Sequence, residues 1–381
     1  MADFTLFPRR SARAALSTLL AFTFGIFLFN YTLSAFDDQR YKFTKHQAEA
    51  EDLRNCSDHD PALYPPSPTL ATIDSKYAFA TLLAGNYQGH TDDDIENDQY
   101  FVAVRILAYQ FLHAPETRTT RGYPFIVLVT PEVSEAKRER LRKDGAIIVE
   151  APPFEVASWF QIPNVQWRSV LAKMRVLELT QFERVLLLDG DTQLTRFNDS
   201  PLDDIFDDPA TALQTTSANP EGINEDEGPL PSTYGFAGTS QLDENHHFPP
   251  TEEGDLVSKG NYLNGGFVVM KPCLELLNYY VSLMQTPVKH FEPYLPEQHL
   301  WNYAHRGAYK AGNMPWAHLN LTWNVQAANL KDIEGGTASV HEKFWNPGKR
   351  ELLPYLATWR WRMKGFWEGM EAGAGYGCTV D

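Results

Sequence analysis

The stretch that most constrains the fold of this chain is Arg184-Val-Leu-Leu-Leu-Asp189-Gly190-Asp191-Thr192. The unbroken aliphatic run from Val185 to Leu188 predicts a strand covered on both faces, because a half-exposed strand would alternate apolar and polar residues. Asp189 and Asp191 stand at its C-terminal end, where open α/β sheets bind their ligands. Gly190 lets the turn bend tightly, so two hard oxygen ligands come side by side. Mg²⁺ and Mn²⁺ bind one or two carboxylates in this way and complete their shell with substrate phosphates. An acidic turn that merely ends a strand has the same composition, so the rest of the chain must decide.

The length of 381 residues allows one large α/β domain or two ordinary ones. A formal charge of -16 argues against general nucleic-acid binding, which needs a basic footprint. It also makes an anionic substrate awkward unless a cation bridges it to the protein. Cys56, Cys273 and Cys378 fit no metal-ligand spacing; one disulfide would leave one thiol over.

Arg9, Arg10 and Arg13 precede an uncharged stretch from 14 to 36, and Asp37 and Asp38 follow it. At about 1.5 Å per residue a helix of that length crosses a hydrocarbon core of about 30 Å. The charge bias predicts a cytoplasmic tail over 1–13, a membrane anchor over 14–36 and a translocated remainder. A cleaved signal peptide is the competing reading, with Leu33-Ser-Ala35 as a poor cleavage site. Residues 37–75 are polar and rich in proline, which predicts a stem. Asn55, Asn198 and Asn320 open glycosylation sequons, usable only on the lumenal side.

From 76 to 368 the pattern predicts one α/β domain, a sheet flanked by helices. Strands are expected over 77–84, 125–129, 146–149 and 185–188, and helices over 100–111, 135–143 and 165–179. Such alternation reads as βαβ units and a largely parallel sheet. Residues 215–259 read as a long acidic loop of the lid or specificity kind, with His246 and His247 as solvated surface. Asn264-Gly265-Gly266 reads as a tight turn feeding a strand. Leu274–Met284 and a segment opened by Pro296-Glu297-Gln298 read as helices, Glu297 being a first-turn acid that suits the helix dipole. The glycine-rich residues 369–381 read as a frayed tail.

The order of these landmarks resembles that of the glycogenin-like retaining glycosyltransferases, family 8, and especially their fungal membrane-anchored members. Thr81-Leu82-Leu-Ala84 is similar to the family's opening nucleotide-binding strand, and Lys173 sits where the family has a lysine before its metal motif. Asp189-Gly-Asp191 matches the DxD motif, Asn264-Gly265-Gly266 the Asn-x-Gly segment, Glu297-Gln298 the Asp-Gln pair, and His341 the late histidine. The resemblance implies a GT-A fold, a Rossmann-like mixed sheet flanked by helices, and transfer with retention. It implies Mn²⁺, with Mg²⁺ as an alternative, held by Asp189, Asp191 and His341. Thr81, Leu82, Asn86 and Tyr87 would border the nucleotide. Lys173, Asn264, Gly265, Gly266, Glu297 and Gln298 would hold the donor phosphate or sugar. Lys349 would face the diphosphate, with Lys343 as its rival, since the spacing from His341 to Lys349 exceeds the family's.

The activity so implied is transfer of a hexose or N-acetylhexosamine from a UDP-sugar to a glycan or glycoprotein acceptor in the secretory pathway. The location expected is the Golgi membrane, single-pass and type II, with the catalytic domain lumenal. N-acetylglucosamine, glucose and galactose all fit as donor sugars. Two other classes stay open. Asp189-Gly-Asp191-Thr192 also suits a phosphohydrolase in which the first aspartate attacks phosphate and the second acts as acid. A lumenal binding protein could keep the same fold without catalysis.

Overall fold

The computed structural model describes residues 69–85, 95–162, 167–195, 202–215, 223–255, 262–306 and 314–375. The expected tail over 1–13, the anchor over 14–36, the stem as far as residue 68, Asn86, Tyr87 and the sequons at Asn55 and Asn198 lie outside the described residues. Among the described residues no helix is long and apolar enough to cross a membrane.

The first half of the domain alternates as its sequence predicts. Strand β1 (Tyr77–Leu83) leads to helix α1 (Gln99–Leu112), β2 (Phe125–Val129), α2 (Glu135–Lys143) and β3 (Ile147–Glu150). Asp98 starts α1 by accepting from the backbone N–H groups of Tyr100 and Phe101 at 3.1 Å each, the usual satisfaction of first-turn donors. Nearly all of α1 is buried, because the chain covers it on every side; its one internal guanidinium, Arg105, is paired with Asp144 at 2.6 Å.

The chain then passes through a 3-10 helix (Val170–Glu178), where the sequence predicts an α-helix over 165–179. It enters β4 (Arg184–Leu188), turns at Asp189–Asp191, and continues as β5 (Thr192–Leu194). In β4, Val185 and Leu187 join one core while Leu186 and Leu188 join the other, and all are at most 1 % exposed. Burial on both faces is what the aliphatic run demands, at roughly 1.5–3 kcal/mol of transfer free energy per side chain.

The second half departs from the loop expectation. Between 215 and 259 lie two-residue β7 (Thr233–Tyr234), which pairs with β6 (Gln214–Thr215), then β8 (Phe236–Ser240) and the short helix α3 (Glu252–Asp255). Strand β8 is fully buried; its Phe-Ala-Gly-Thr-Ser sequence has too few aliphatic residues to show as a strand, and only its neighbours make it one. Asn264-Gly265-Gly266 is not a turn but part of the eight-residue strand β9 (Leu263–Met270). Next come α4 (Leu274–Gln285), α5 (Pro296–Ala304), β10 (Ala317–His318), β11 (Val325–Gln326), α6 (Leu330–Glu334) and β12 (Ser339–His341). The last helix, α7 (Leu353–Gly375), runs past the expected start of the frayed tail at 369; residues 376–381 lie outside the described residues.

The main sheet has the order β10-β8-β9-β4-β1-β2-β3. Strands β4, β1, β2 and β3 are parallel neighbours, whereas β9 runs antiparallel to both β4 and β8. The sheet is therefore mixed, and the class is α/β. A second sheet, β11-β12-β5, sets β12 antiparallel to β5 directly beyond the Asp189–Asp191 turn. Asn320, which opens the third sequon, is exposed and accepts from the backbone N–H of Thr322 at 2.9 Å.

Candidate active site

The two sheets meet at the turn after β4, and their registers place three of the expected ligands together. In the antiparallel pair of β4 with β9, Leu188 lies opposite Phe267, and the Asp189 N–H donates to the Gly266 carbonyl at 2.9 Å. In the pair of β12 with β5, His341 lies opposite Thr192, and the Glu342 N–H donates to the Asp191 carbonyl at 3.1 Å. The backbone thus brings His341 to Asp191 across a sequence gap of 150 residues. Its Nε2 is 3.1 Å from Asp191 Oδ1 and 3.5 Å from Asp189 Oδ2. One donor atom from each of the three residues falls within 4.8 Å of the others.

Gly266 makes this approach possible. A Cβ there would stand 2.2 Å from His341 Cε1 and 2.6 Å from Nδ1, far inside contact distance. Asn-Gly-Gly is therefore a device for close packing within a strand rather than for turning the chain. Nε2 is the nitrogen turned to the carboxylates, while His341 Nδ1 is buried with no hydrogen-bond partner among the described residues.

Two lysines flank the aspartates. Lys173, on the 3-10 helix, is buried and contacts Asp189 while donating to Glu297 Oε1 at 2.8 Å. Lys343 Nζ lies 3.4 Å from Asp191 Oδ2. Burial alone would raise the Asp191 carboxyl, but the charge and hydrogen bond of His341 and the charge of Lys343 outweigh it and hold the group well below the usual carboxylate range. Burial would lower His341, Lys173 and Lys343; the facing carboxylates reverse the sign, and all three stay raised.

The expected Glu297 and Gln298 open α5 and line the same cavity. Gln298 Oε1 accepts from the Gly265 N–H at 2.7 Å, which ties the helix to β9. Asn264 donates to Gln241 Oε1 at 2.8 Å, and its own Oδ1 accepts from the Gly266 N–H and from Asn324. Thr81 is fully buried, donates to the Leu188 carbonyl at 2.9 Å and belongs to the support of the turn, while Leu82 lines the cavity. Of the two candidate lysines, Lys343 faces the site; Lys349 is exposed, precedes the short 3-10 helix Arg350–Leu352 and does not line the cavity.

The cavity holds about 380 Å³, within the range of small-molecule sites. Its wall also includes Tyr100, Asp98, Trp167 and Gln241, which sequence reasoning missed. Tyr100 was legible in principle, because a helix that follows β1 must start at the ligand-binding end of the sheet. Gln241 carried no such signal, since β8 itself was hidden. His246, expected on the solvated surface, is buried, with Nδ1 2.7 Å from the Asp243 carbonyl and Nε2 3.2 Å from Asp332 Oδ1. Its neighbour His247 is the exposed one.

The donor set of two carboxylate oxygens and one imidazole nitrogen suits a hard or borderline divalent cation such as Mn²⁺ or Mg²⁺. The shared carboxylate cage, with two cations already arranged around it, fits that group and an anionic substrate beyond it.

No family model matches the chain. It is 27 % identical over 312 residues to the Schizosaccharomyces pombe "Uncharacterized protein C5H10.12c", covering 74 % of this chain and 78 % of that one. It is 28 % identical over 217 residues to galactinol synthase 10 of Arabidopsis thaliana, covering 56 % of this chain and 57 % of the plant protein. Among solved structures it is similar to the WbbM bifunctional glycosyltransferase, with a TM-score of 0.44 at 14 % identity. That match covers 77 % of this chain, which spans about half, 52 %, of the WbbM chain.

Proposed function

We propose that the chain is a metal-dependent glycosyltransferase of the GT-A type, which moves a hexose or N-acetylhexosamine from a UDP-sugar to a glycan or glycoprotein acceptor with retention. The observation that carries this reading is the convergence of Asp189, Asp191 and His341 at the C-terminal end of β4, with Lys343 at their side. The similarity to galactinol synthase 10, a synthase by its name, supports it.

Transfer from a nucleotide diphosphate leaves a diphosphate whose growing charge must be neutralised. Mn²⁺ or Mg²⁺ held by Asp189, Asp191 and His341 would supply Lewis-acid neutralisation and a template for the two phosphates. Lys343 adds a fixed positive charge at the edge of the same cage, the kind of preorganised electrostatics that usually contributes most to catalysis. Lys173 contacts Asp189 on one side and Glu297 on the other, and so ties an acid of the sugar end to a ligand of the phosphate end. Glu297 and Gln298 are placed to read sugar hydroxyls, and Gln298 is itself held by β9. The N-terminal residues extend the reading to a type II Golgi enzyme. Its support is the run of arginines before an uncharged stretch of membrane-crossing length.

The test is release of UDP from a panel of UDP-sugars by residues 69–381, with and without Mn²⁺, for wild type and Asp191→Ala. Metal-dependent release from one donor, lost in the variant, is expected and names the sugar. Hydrolysis of a simple phosphate ester through Asp189, with no donor turned over, would replace this reading by the phosphohydrolase one.

A further inference from the structure

The cavity that holds the metal cage has one wall of a different character. Trp167, three residues before the 3-10 helix that carries Lys173, lines the cavity and is half-buried. Tyr294 precedes Glu297 by three residues and is 58 % exposed, although more than half of the aromatic side chains among the described residues are buried. The two rings meet at right angles, with centroids 5.5 Å apart and an interplanar angle of 84°. Trp167 lines the cavity and Tyr294 packs against it from outside the lining, on the same two segments that supply the buried Lys173–Glu297 pair. A ligand in the cavity can reach the part of the Trp167 side chain that lines it, and the exposed Tyr294 ring stands beside that part. A π face carries partial negative charge and attracts C–H groups polarised by neighbouring oxygens. Leaving a large aromatic in water costs apolar hydration that a ligand would recover.

A pyranose ring has this chemistry: an apolar C–H face and a rim of hydroxyls. The amide of Gln241 lines the same cavity and suits the rim. The chain's net charge of -16 and Glu297 in the cavity lining disfavour an anionic occupant. The geometry points to Trp167 and Tyr294 as the acceptor platform, and to a neutral pyranoside, rather than a peptide hydroxyl, as the acceptor seated there. This inference rests on the transferase reading and narrows it.

The test is binding measured by saturation-transfer NMR and calorimetry, in the presence of UDP and Mn²⁺. The probes are methyl β-glucopyranoside and methyl β-galactopyranoside, with a Ser/Thr-containing peptide as the competing occupant. Wild type is expected to bind at least one pyranoside, with saturation strongest on its C–H face. Trp167→Ala and Tyr294→Ala should weaken that binding tenfold or more, and Trp167→Phe by less, while UDP affinity moves less than twofold. Retained UDP binding shows that the variants fold. Unchanged pyranoside affinity in the alanine variants would overturn the inference, as would peptide binding without pyranoside binding. A parallel loss of UDP affinity in Trp167→Ala would also overturn it, because the ring would then be a base platform. UDP release from the donor panel is scored separately. Pyranoside bound at Trp167 with no donor turned over keeps the platform and removes the transferase reading; turnover with an indifferent Trp167 does the reverse.

Discussion

Replacement of Gly266 by alanine should separate folding from metal binding. The backbone at Gly266 has no positive φ, so alanine fits the strand conformation and even gains roughly 0.5–1 kcal/mol over glycine. The added Cβ would stand 2.2 Å from His341 Cε1, 2.6 Å from Nδ1 and 3.0 Å from Asn264 Oδ1. Carbon contacts settle at about 3.5–4.0 Å, so the imidazole must withdraw by more than about 1 Å. Overpacking of this kind costs about 1–3 kcal/mol, which leaves a net destabilisation of roughly 0–2.5 kcal/mol and a folded protein. The same movement is decisive at the cage, where Nε2 lies 3.1 Å from Asp191 Oδ1 and ligand atoms must close to about 2.0–2.2 Å on a small cation. We expect Mn²⁺ affinity to fall by about 10–100-fold, the range seen when a ligand's support is removed. Calorimetry of Mn²⁺ binding with UDP present, beside a thermal melt, reads both quantities. Because the effect passes through the imidazole, Gly266→Ala should cost little further affinity in a His341→Ala background. An undiminished Mn²⁺ affinity in a folded Gly266→Ala protein, or equal losses in both backgrounds, would refute the reasoning.

Lys173→Met removes the cation that Asp189 and Glu297 share and should destabilise by about 3 kcal/mol, chiefly the cost of leaving the buried Glu297 carboxylate unpaired, since Asp189 keeps His341 beside it. Adding Glu297→Gln should restore part of it, as urea midpoints will show. Lys343→Ala should lower donor kcat/KM by about 10–100-fold, the worth of one charge-assisted hydrogen bond, whereas Lys349→Ala should change it less than twofold. His305 is fully buried, stacks on Phe236 with centroids 4.0 Å apart, and is held down to about 3, mainly by burial. With an unfolded value near 6.5, its contribution is full above that pH and is lost as the pH falls toward 3. Between pH 8 and pH 5 this amounts to about 2 kcal/mol. His246 has the opposite sign, since its raised value favours folding at lower pH. The difference between wild type and His305→Gln therefore isolates His305, and equal pH slopes in the two would sink the prediction.

What the sequence showed and what it hid divide along physical lines. Strands β2 and β4 were legible because a strand covered on both faces must be aliphatic throughout, and Asp189 and Asp191 stood out because they follow such a strand at the end where open α/β sheets bind ligands. Strand β8 was hidden, since its alanine, glycine, threonine and serine are apolar enough only once β9 and β10 cover them. Asn264-Gly265-Gly266 misled because glycine serves both turns and close approach, and only the position of His341 tells which. Helix α7 could have been found from Leu356, Trp359, Met363 and Trp367, which recur at helical spacing and are all buried. The burial of His246 depended on Asp332, 86 residues away, and no local pattern carries that. The choice of Lys343 over Lys349 likewise waited on the turn after β12, where Glu342 accepts from the Gly348 N–H at 2.9 Å.

The most direct measurement is a Mn²⁺ titration followed by electron paramagnetic resonance, on wild type, Asp191→Asn and His341→Gln, with and without UDP. A cage built from Asp189, Asp191 and His341 predicts one saturable site per chain, tightened by UDP and lost in both variants. A wild-type protein that binds no Mn²⁺, or variants that bind it as well as wild type, would contradict the metal-dependent site at the end of β4.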